Sequence, residues 1–225
     1  MTADLFDLPQ ARPAPQTSTQ PVPLAEGAVL FPGLALPDAP ALIRAIHDLA
    51  RIVPFRRMET PGGRQMSVAM TACGESGWCS DRNGYRYTTH SPVTGAPWPP
   101  LPDAFVAISR RATAAAGFPK PPLQSCLINC YEPGARLSLH QDRDENAPHM
   151  PIVSLSLGVA ATFLWGGLRR SDPVRRLRLA HGDVVVWGGP SRFVFHGIAP
   201  LSRSSHPETG ENRFNITFRQ IAPEE

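Results

Sequence analysis

Two hydrophobic periods divide the chain. Between residues 38 and 117 apolar positions recur at helical spacing. Leu42, Ile43, Ile46, Leu49, Ala50 and Val53 form one stripe, and Phe105, Ile108, Ala112 and Ala115 form another. Asp38, with Pro40 in the first turn, marks the start of the first helix; Pro102-Asp103 opens the second, which Gly117 and Pro119 close. From residue 126 the period falls to two. Strand-like runs cover Cys126–Tyr131, Arg136–His140, Ile152–Leu157, Ala161–Trp165, Arg175–Leu179, Val184–Trp187, Arg192–His196 and Arg213–Arg219, separated by Gly- and Pro-rich turn clusters. Eight short strands in 94 residues predict a mainly β fold with flanking helices, a sandwich or jelly roll carrying the two helices on one outer face.

Composition sharpens this picture. The chain has 26 prolines in 225 residues, more than twice the usual share of about 5%, which argues against a helical bundle. Pro9, Pro13, Pro15, Pro21 and Pro23 stand among Gln, Ser and Thr, so residues 1–23 are expected as an extended, solvated tail. One domain is expected from 24 to 225, with order beginning near Ala28–Phe31. With 42% hydrophobic and 18% charged residues, wholesale disorder is excluded. The longest weakly polar run, Leu155–Leu168, falls short of the roughly 20 residues a membrane span needs. Met1–Leu5 carries no signal-peptide pattern, and a cytoplasmic location is expected.

Charge and cysteines add less. A net charge of +3 permits nucleic acid as a partner without requiring it. Cys73, Cys79, Cys126 and Cys130 lack the paired spacing of a zinc ribbon, and buried free thiols are the better expectation.

The chemistry lies in two H-x-D sequences, where chance predicts about 0.3. An H-x-D joined by a distant second His has the form of a 2-His-1-carboxylate site for Fe(II). His140 and Asp142 share a strand face and could join His196. If Gly188–Ser191 closes a hairpin, however, Asp183 also faces His196, so His181-Gly182-Asp183 is an equal rival on spacing alone. The last strand bears on the choice. In Arg213–Arg219, Phe, Ile and Phe share one face and Arg, Asn, Thr and Arg the other. Two arginines roughly 20 Å apart along the strand suit a short dicarboxylate, which a guanidinium meets with two parallel hydrogen bonds.

These segments together resemble the AlkB family of Fe(II)- and 2-oxoglutarate-dependent dioxygenases. The resemblance rests on Asn129-Cys130-Tyr131, His140-Gln141-Asp142-Arg143-Asp144-Glu145, His196-Gly197 and Arg213–Arg219, with Thr60–Gly63, Ser67–Thr71, Trp78, Gly84-Tyr85 and Asp183–Gly189 in support, and spans about 24–221. It implies a double-stranded β-helix, a jelly-roll core at about 126–221, and a nucleotide-recognition lid at about 60–98. By the same resemblance His140, Asp142 and His196 hold the iron, and His181/Asp183 is a turn. Asn129, Tyr131, Arg213, Asn215 and Arg219 bind 2-oxoglutarate. Met70, Trp78, Tyr85, Arg86, Tyr87, Asp144 and Arg170 meet the substrate. The implied activity is oxidative demethylation of bases such as N1-methyladenine and N3-methylcytosine in DNA, with RNA also in range, consuming O2 and releasing formaldehyde, succinate and CO2. Single strands should be easier than duplex, where the base must be flipped out. A monomer is expected, and no membrane partner. Cys130 departs from the family in lacking a larger polar side chain, which should point away from the site. Two other readings are an Fe(II)/2-oxoglutarate enzyme acting on a protein side chain or small metabolite, and a nucleic-acid-binding jelly roll without catalysis.

Overall fold

A computed structural model describes residues 20–222. The elements, in chain order, are β1 (Val22–Ala25), β2 (Ala28–Phe31), α1 (Ala39–Ile52), β3 (Arg56–Glu59), β4 (Gln65–Gly74), β5 (Gly77–Asp81), β6 (Gly84–Thr88), α2 (Asp103–Ala115), β7 (Ser125–Tyr131), β8 (Leu137–His140), β9 (Ile152–Gly158), β10 (Ala161–Trp165), β11 (Arg175–Leu179), β12 (Val184–Trp187), β13 (His196–Ile198) and β14 (Arg213–Arg219). The tail expected over 1–23 lies outside the described residues except for its last four positions. There β1 begins at Val22, ahead of the expected onset of order, and pairs with β2. Pro23 is tolerated because β1 is an edge strand. Gly27, at φ 72°, makes the reversal, and any side chain there would strike the Gly188 carbonyl.

Two antiparallel sheets face each other as a jelly roll. The larger runs β1-β2-β12-β9-β14-β7-β4-β3 and the smaller β11-β10-β13-β8, while β5 and β6 form a separate hairpin. One face of the large sheet, including Ile128, Leu155, Val184, Ile216 and Phe218, buries against Leu42, Ile46, Phe105 and Ile108 of the helices. Burying each such side chain contributes about 1.5–3 kcal/mol. Cys73 and Cys126 lie opposite each other in this layer as free thiols. Cys130 also packs on the helix side, away from the space between the sheets. That space is enclosed by Leu127, Ile152 and Trp187 on one side and Phe163, Trp165 and Ile198 on the other.

Three local expectations are corrected. Asp38 does start α1 but makes no side-chain cap; its carboxylate instead receives Arg111 from α2. Ala115 is exposed in the last turn of its helix. The run Arg192–His196 is not a strand. Both edges of β12 are already paired, with β2 and β9, so no hairpin partner can follow it. The chain turns through a 3-10 segment, Gly189–Ser191, crosses to the small sheet and pairs only from His196. The register that would set Asp183 against His196 therefore does not form.

Candidate active site

Two strands and the loop after β8 assemble the metal site. His196 of β13 lies directly opposite His140 of β8, and Asp142 follows just beyond the strand end. The ligand atoms of His140, Asp142 and His196 all lie within 4.8 Å of one another, the one group of three or more His, Cys, Asp or Glu able to hold a metal among the described residues. Ser138 O lies 2.9 Å from His140 Nδ1 and Val194 O 3.0 Å from His196 Nδ1. Each carbonyl accepts from the Nδ1–H, which leaves Nε2 of both rings as the free donor to a cation. The donor set fits Fe(II): two imidazoles and one carboxylate on a single side, with the cavity opposite.

The electrostatics match a cation site. Burial raises the Asp142 carboxyl, but the Arg219 guanidinium, His196 and His140 outweigh it and hold the group below the usual carboxylate range. Burial, reinforced by His140, lowers His196 to about 4, so it is neutral and able to ligate near neutral pH. By contrast, the His181 and Asp183 side chains are spent on backbone. The Gly158 N–H donates to His181 Nδ1 at 2.9 Å, and the Gly33 and Ala180 N–H groups donate to the two oxygens of Asp183. That segment is a turn, with Gly182 at φ 84°.

A cavity of about 720 Å³ opens from the triad into the space between the sheets. Its floor is the polar face of β14, which is no solvated edge: the strand lies between β9 and β7 with all seven residues buried. The two arginines differ. Arg219 donates from Nε to Asp142 Oδ2 at 2.8 Å, and its Nη2 lies 2.7 Å from the same oxygen. Arg213 is 1% exposed, stacks over Tyr131 at 4.9 Å and donates once, to Ser156 Oγ. Its Nε and Nη1 are buried with no hydrogen-bond partner, and neither has Asn129 Oδ1. Asn129 and Asn215 bond to each other through Nδ2 and Oδ1 at 3.2 Å. Unmet buried donors cost about 1–3 kcal/mol each, so a cationic fork left open toward a cavity fits an anionic ligand.

At the other side of the triad, Trp78 and Tyr85 of the hairpin stack at 5.5 Å and line the cavity with Met70, Asp144 and Arg170. The Trp78 indole N–H donates to Asp144 Oδ2 at 2.9 Å. Arg170 lies over Phe195 and donates to the Leu139 carbonyl. Two expected substrate contacts do not line the cavity. Arg86 is held in the hairpin by Asp81, and Tyr87 turns inward to donate to Glu145 Oε1 at 2.6 Å.

Glu145 and Arg192 escaped the sequence reasoning. Glu145 receives Tyr87, lies 3.4 Å from Arg219 Nε and accepts from Arg192 at 3.1 Å; Arg192 also donates to the Asp142 carbonyl at 2.8 Å. This buried network ties the β5–β6 hairpin to the backbone of a metal ligand. Its one sequence signal was an arginine heading the apolar run Phe193–Phe195.

Fold and donor set are those of a 2OG-Fe(II) oxygenase, and the family model described as the 2OG-Fe(II) oxygenase superfamily matches residues 27–219. The chain is 55% identical over 203 residues to Alpha-ketoglutarate-dependent dioxygenase AlkB of Salmonella typhimurium, covering 90% of this chain and 94% of that one. It is 35% identical over 112 residues to tRNA demethylase abh1 of Schizosaccharomyces pombe, covering 44% and 37%. The solved structure of OsALKBH1 matches with a TM-score of 0.78 at 30% identity, covering 89% of this chain and 100% of that one. The chain belongs to the AlkB family of 2OG-Fe(II) oxygenases. Among the described residues, no helix is long and apolar enough to cross a membrane.

Proposed function

We propose that this dioxygenase removes alkyl groups oxidatively from N-alkylated bases of the N1-methyladenine and N3-methylcytosine type in DNA, with RNA as a second polymer. One observation carries the reading: the aromatic pair Trp78/Tyr85 and the Asp144 carboxylate line the same cavity as the metal triad. A cationic methylated base is best held by an aromatic face, worth about 0.5–2 kcal/mol, beside a negative charge. An uncharged side chain or metabolite gains nothing from that pairing.

Iron held by His140, Asp142 and His196, with 2-oxoglutarate and O2, supplies oxidation of the N-methyl carbon, giving succinate, CO2 and formaldehyde. The chain's own part is positioning. Arg213 takes the distal carboxylate with its two open nitrogens, and Tyr131 stacks against it. Arg219 lies by the iron end and fixes Asp142. Asn129 and Asn215 orient the co-substrate between them. Trp78 and His140 flank the base, Met70 and Tyr85 complete the apolar wall, and Arg170 meets the strand at the rim. Residues 60–98 serve as the lid. Tyr87 and Arg86 hold that lid in place rather than touching the base. The enzyme works as a cytoplasmic monomer in one domain from about residue 24, and it prefers single strands because duplex DNA adds a flipping cost of a few kcal/mol.

The test combines binding and turnover. Anaerobic Fe(II) with 2-oxoglutarate should give a visible charge-transfer band, and methylated DNA plus O2 should then release formaldehyde. A band without release from any methylated polymer would move the substrate to another class. For the base pocket, Asp144→Ala should slow single-turnover demethylation of N1-methyladenine and N3-methylcytosine more than that of neutral N3-methylthymine. An unchanged cation-to-neutral ratio refutes the role of Asp144.

A further inference from the structure

The arginines of the chain are unevenly placed. Residues 169–178 contain Arg169, Arg170, Arg175, Arg176 and Arg178 against a single acid, Asp172. The whole chain carries 22 basic and 19 acidic residues, so outside these ten positions acids exceed bases by one, 18 to 17. The net positive charge of the protein is thus concentrated in one edge strand and its preceding loop.

Register fixes where that charge lies. In the small sheet His140 pairs with His196, His196 with Trp165, and Trp165 with Arg175, so one row of residues runs from the metal site to the β11 edge. At about 4.8 Å per strand, that edge lies two spacings from His196 and three from His140, roughly 10 to 15 Å from these iron ligands. Along β11, Leu177 and Leu179 turn inward to the apolar layer, and Leu179 reaches the cavity. Arg176 and Arg178 therefore point outward, opposite Leu164 and Thr162, and are exposed. Arg170 at the cavity rim and Arg175, which donates to the Leu24 carbonyl, are engaged with protein. No carboxylate among the described residues lies within 4.0 Å of the side chains of Arg169, Arg176 or Arg178; Asp183, which feels the charge of Arg178, is spent on two backbone amides. Arg176 and Arg178 on the outer face, with Arg169 exposed in the loop before them and none paired to a carboxylate, are an anion track.

We infer that Arg169, Arg176 and Arg178 bind the phosphate backbone of the nucleic acid whose base occupies the cavity, on the outer face of the small sheet. This rests on the nucleobase reading above. The geometry gives the track no access to base edges, so it contributes affinity and salt dependence without selecting sequence or lesion. Each phosphate contact releases condensed counterions and steepens the fall of affinity with salt, by about 0.7 in log–log slope for single strands and 0.9 for duplex.

The experiment compares wild type with Arg176→Gln/Arg178→Gln and with the control Arg44→Gln/Arg110→Gln, which removes the same charge from exposed helix positions. Binding of a 20-mer, single-stranded or duplex, is measured between 50 and 200 mM salt. Loss of two contacts should lower the slope by about 1.4 on the single strand, so that the drop in affinity across this range shrinks about sevenfold. The control slope should not move. A reduced slope on both forms assigns the track to the lesion strand; a reduction confined to duplex assigns it to the complementary strand. Equal slopes for wild type and the β11 variant, or an equal loss in the control, overturn the inference. Formaldehyde release by the wild type is scored separately: release with unchanged slopes sinks the track alone, while no release from any methylated polymer sinks the reading of function.

Discussion

His140-x-Asp142 and His181-x-Asp183 share one pattern and have opposite fates. Both histidines accept or donate through Nδ1 to nearby backbone, and both aspartates are nearly buried, at 8% exposure. The difference is what surrounds the remaining atoms. Around Asp142 they are charges: Arg219 on one side and two imidazoles on the other, beside a cavity. Around Asp183 they are the neutral amides of Gly33 and Ala180, and His181 stacks on His206 at 4.3 Å. A buried carboxylate that faces cations and open space can take a metal; one whose oxygens are filled by backbone amides pins a turn. Identical spacing therefore decides nothing until the neighbouring strands are known.

The comparison breaks most sharply at Asp142. Asp142→Ala should abolish the charge-transfer band and all turnover. It should also cost about 3–5 kcal/mol by leaving Arg219 buried and half-paired, a loss reduced where Glu145 still faces that guanidinium. Chemical denaturation and an iron titration read the two effects separately. His140→Ala should likewise lose iron while remaining folded, since His140 is partly exposed. If His181→Ala lost the metal and His140→Ala kept it, the assignment would be reversed.

A smaller effect is expected with pH. The unfolded chain protonates His196 near the ordinary value of 6.5, whereas the fold resists until about 4. The unfolded state thus binds more protons in this window, and the stability that His196 allows above pH 6.5 is lost as pH falls toward 4. Melting of the metal-free protein should show this decline, and saturating Fe(II) should move it to lower pH; a flat profile from 6.5 to 4 would refute it.

Asp183→Ala comes next. Two buried amides lose their acceptor, which should cost about 1–3 kcal/mol in denaturant unfolding while iron affinity stays unchanged. Tyr87→Phe sharpens the contrast from the metal side, because it cuts the hairpin from the Glu145–Arg192–Asp142 network without touching the cavity. Loss of a hydrogen bond to a charged group should cost about 1.5–3 kcal/mol. Demethylation should slow more than substrate-free turnover of 2-oxoglutarate, and equal slowing of both would leave Tyr87 a purely structural residue. The smallest effect is that of His181→Ala, about 1 kcal/mol for the Gly158 amide.

Much of the fold was legible because each β element has one face that must be dry. Period two located Ala161–Trp165, Arg175–Leu179, Val184–Trp187 and Arg213–Arg219 with their observed ends, and the two helical stripes found α1 and α2. The triad was legible as a pattern. It was separated from its rival by resemblance, and the structure agrees for a reason that spacing could not supply. Arg192–His196 misled because alternation also arises in a loop that threads between sheets, where Arg192 is drawn inward by Glu145 and two carbonyls. Arg86 and Tyr87 were assigned to the substrate by resemblance, yet strand alternation turns Arg86 to the face of Cys79 and Asp81, and Tyr87, on the face of Trp78 and Tyr85, is taken up by Glu145.

Local pattern and residue chemistry, which act over a few residues, were enough to determine the class of fold, the metal-binding residue types and the polar face of the last strand. Long-range pairing decided the rest. Burial of β14 between β9 and β7 made the polar face of the last strand the floor of a cavity, since a strand's face is dry or wet according to its neighbours. The crossing of the chain between sheets after Trp187 brought His196 opposite His140 instead of Asp183. Those pairings join residues more than fifty positions apart, and no periodicity within either segment encodes the partner.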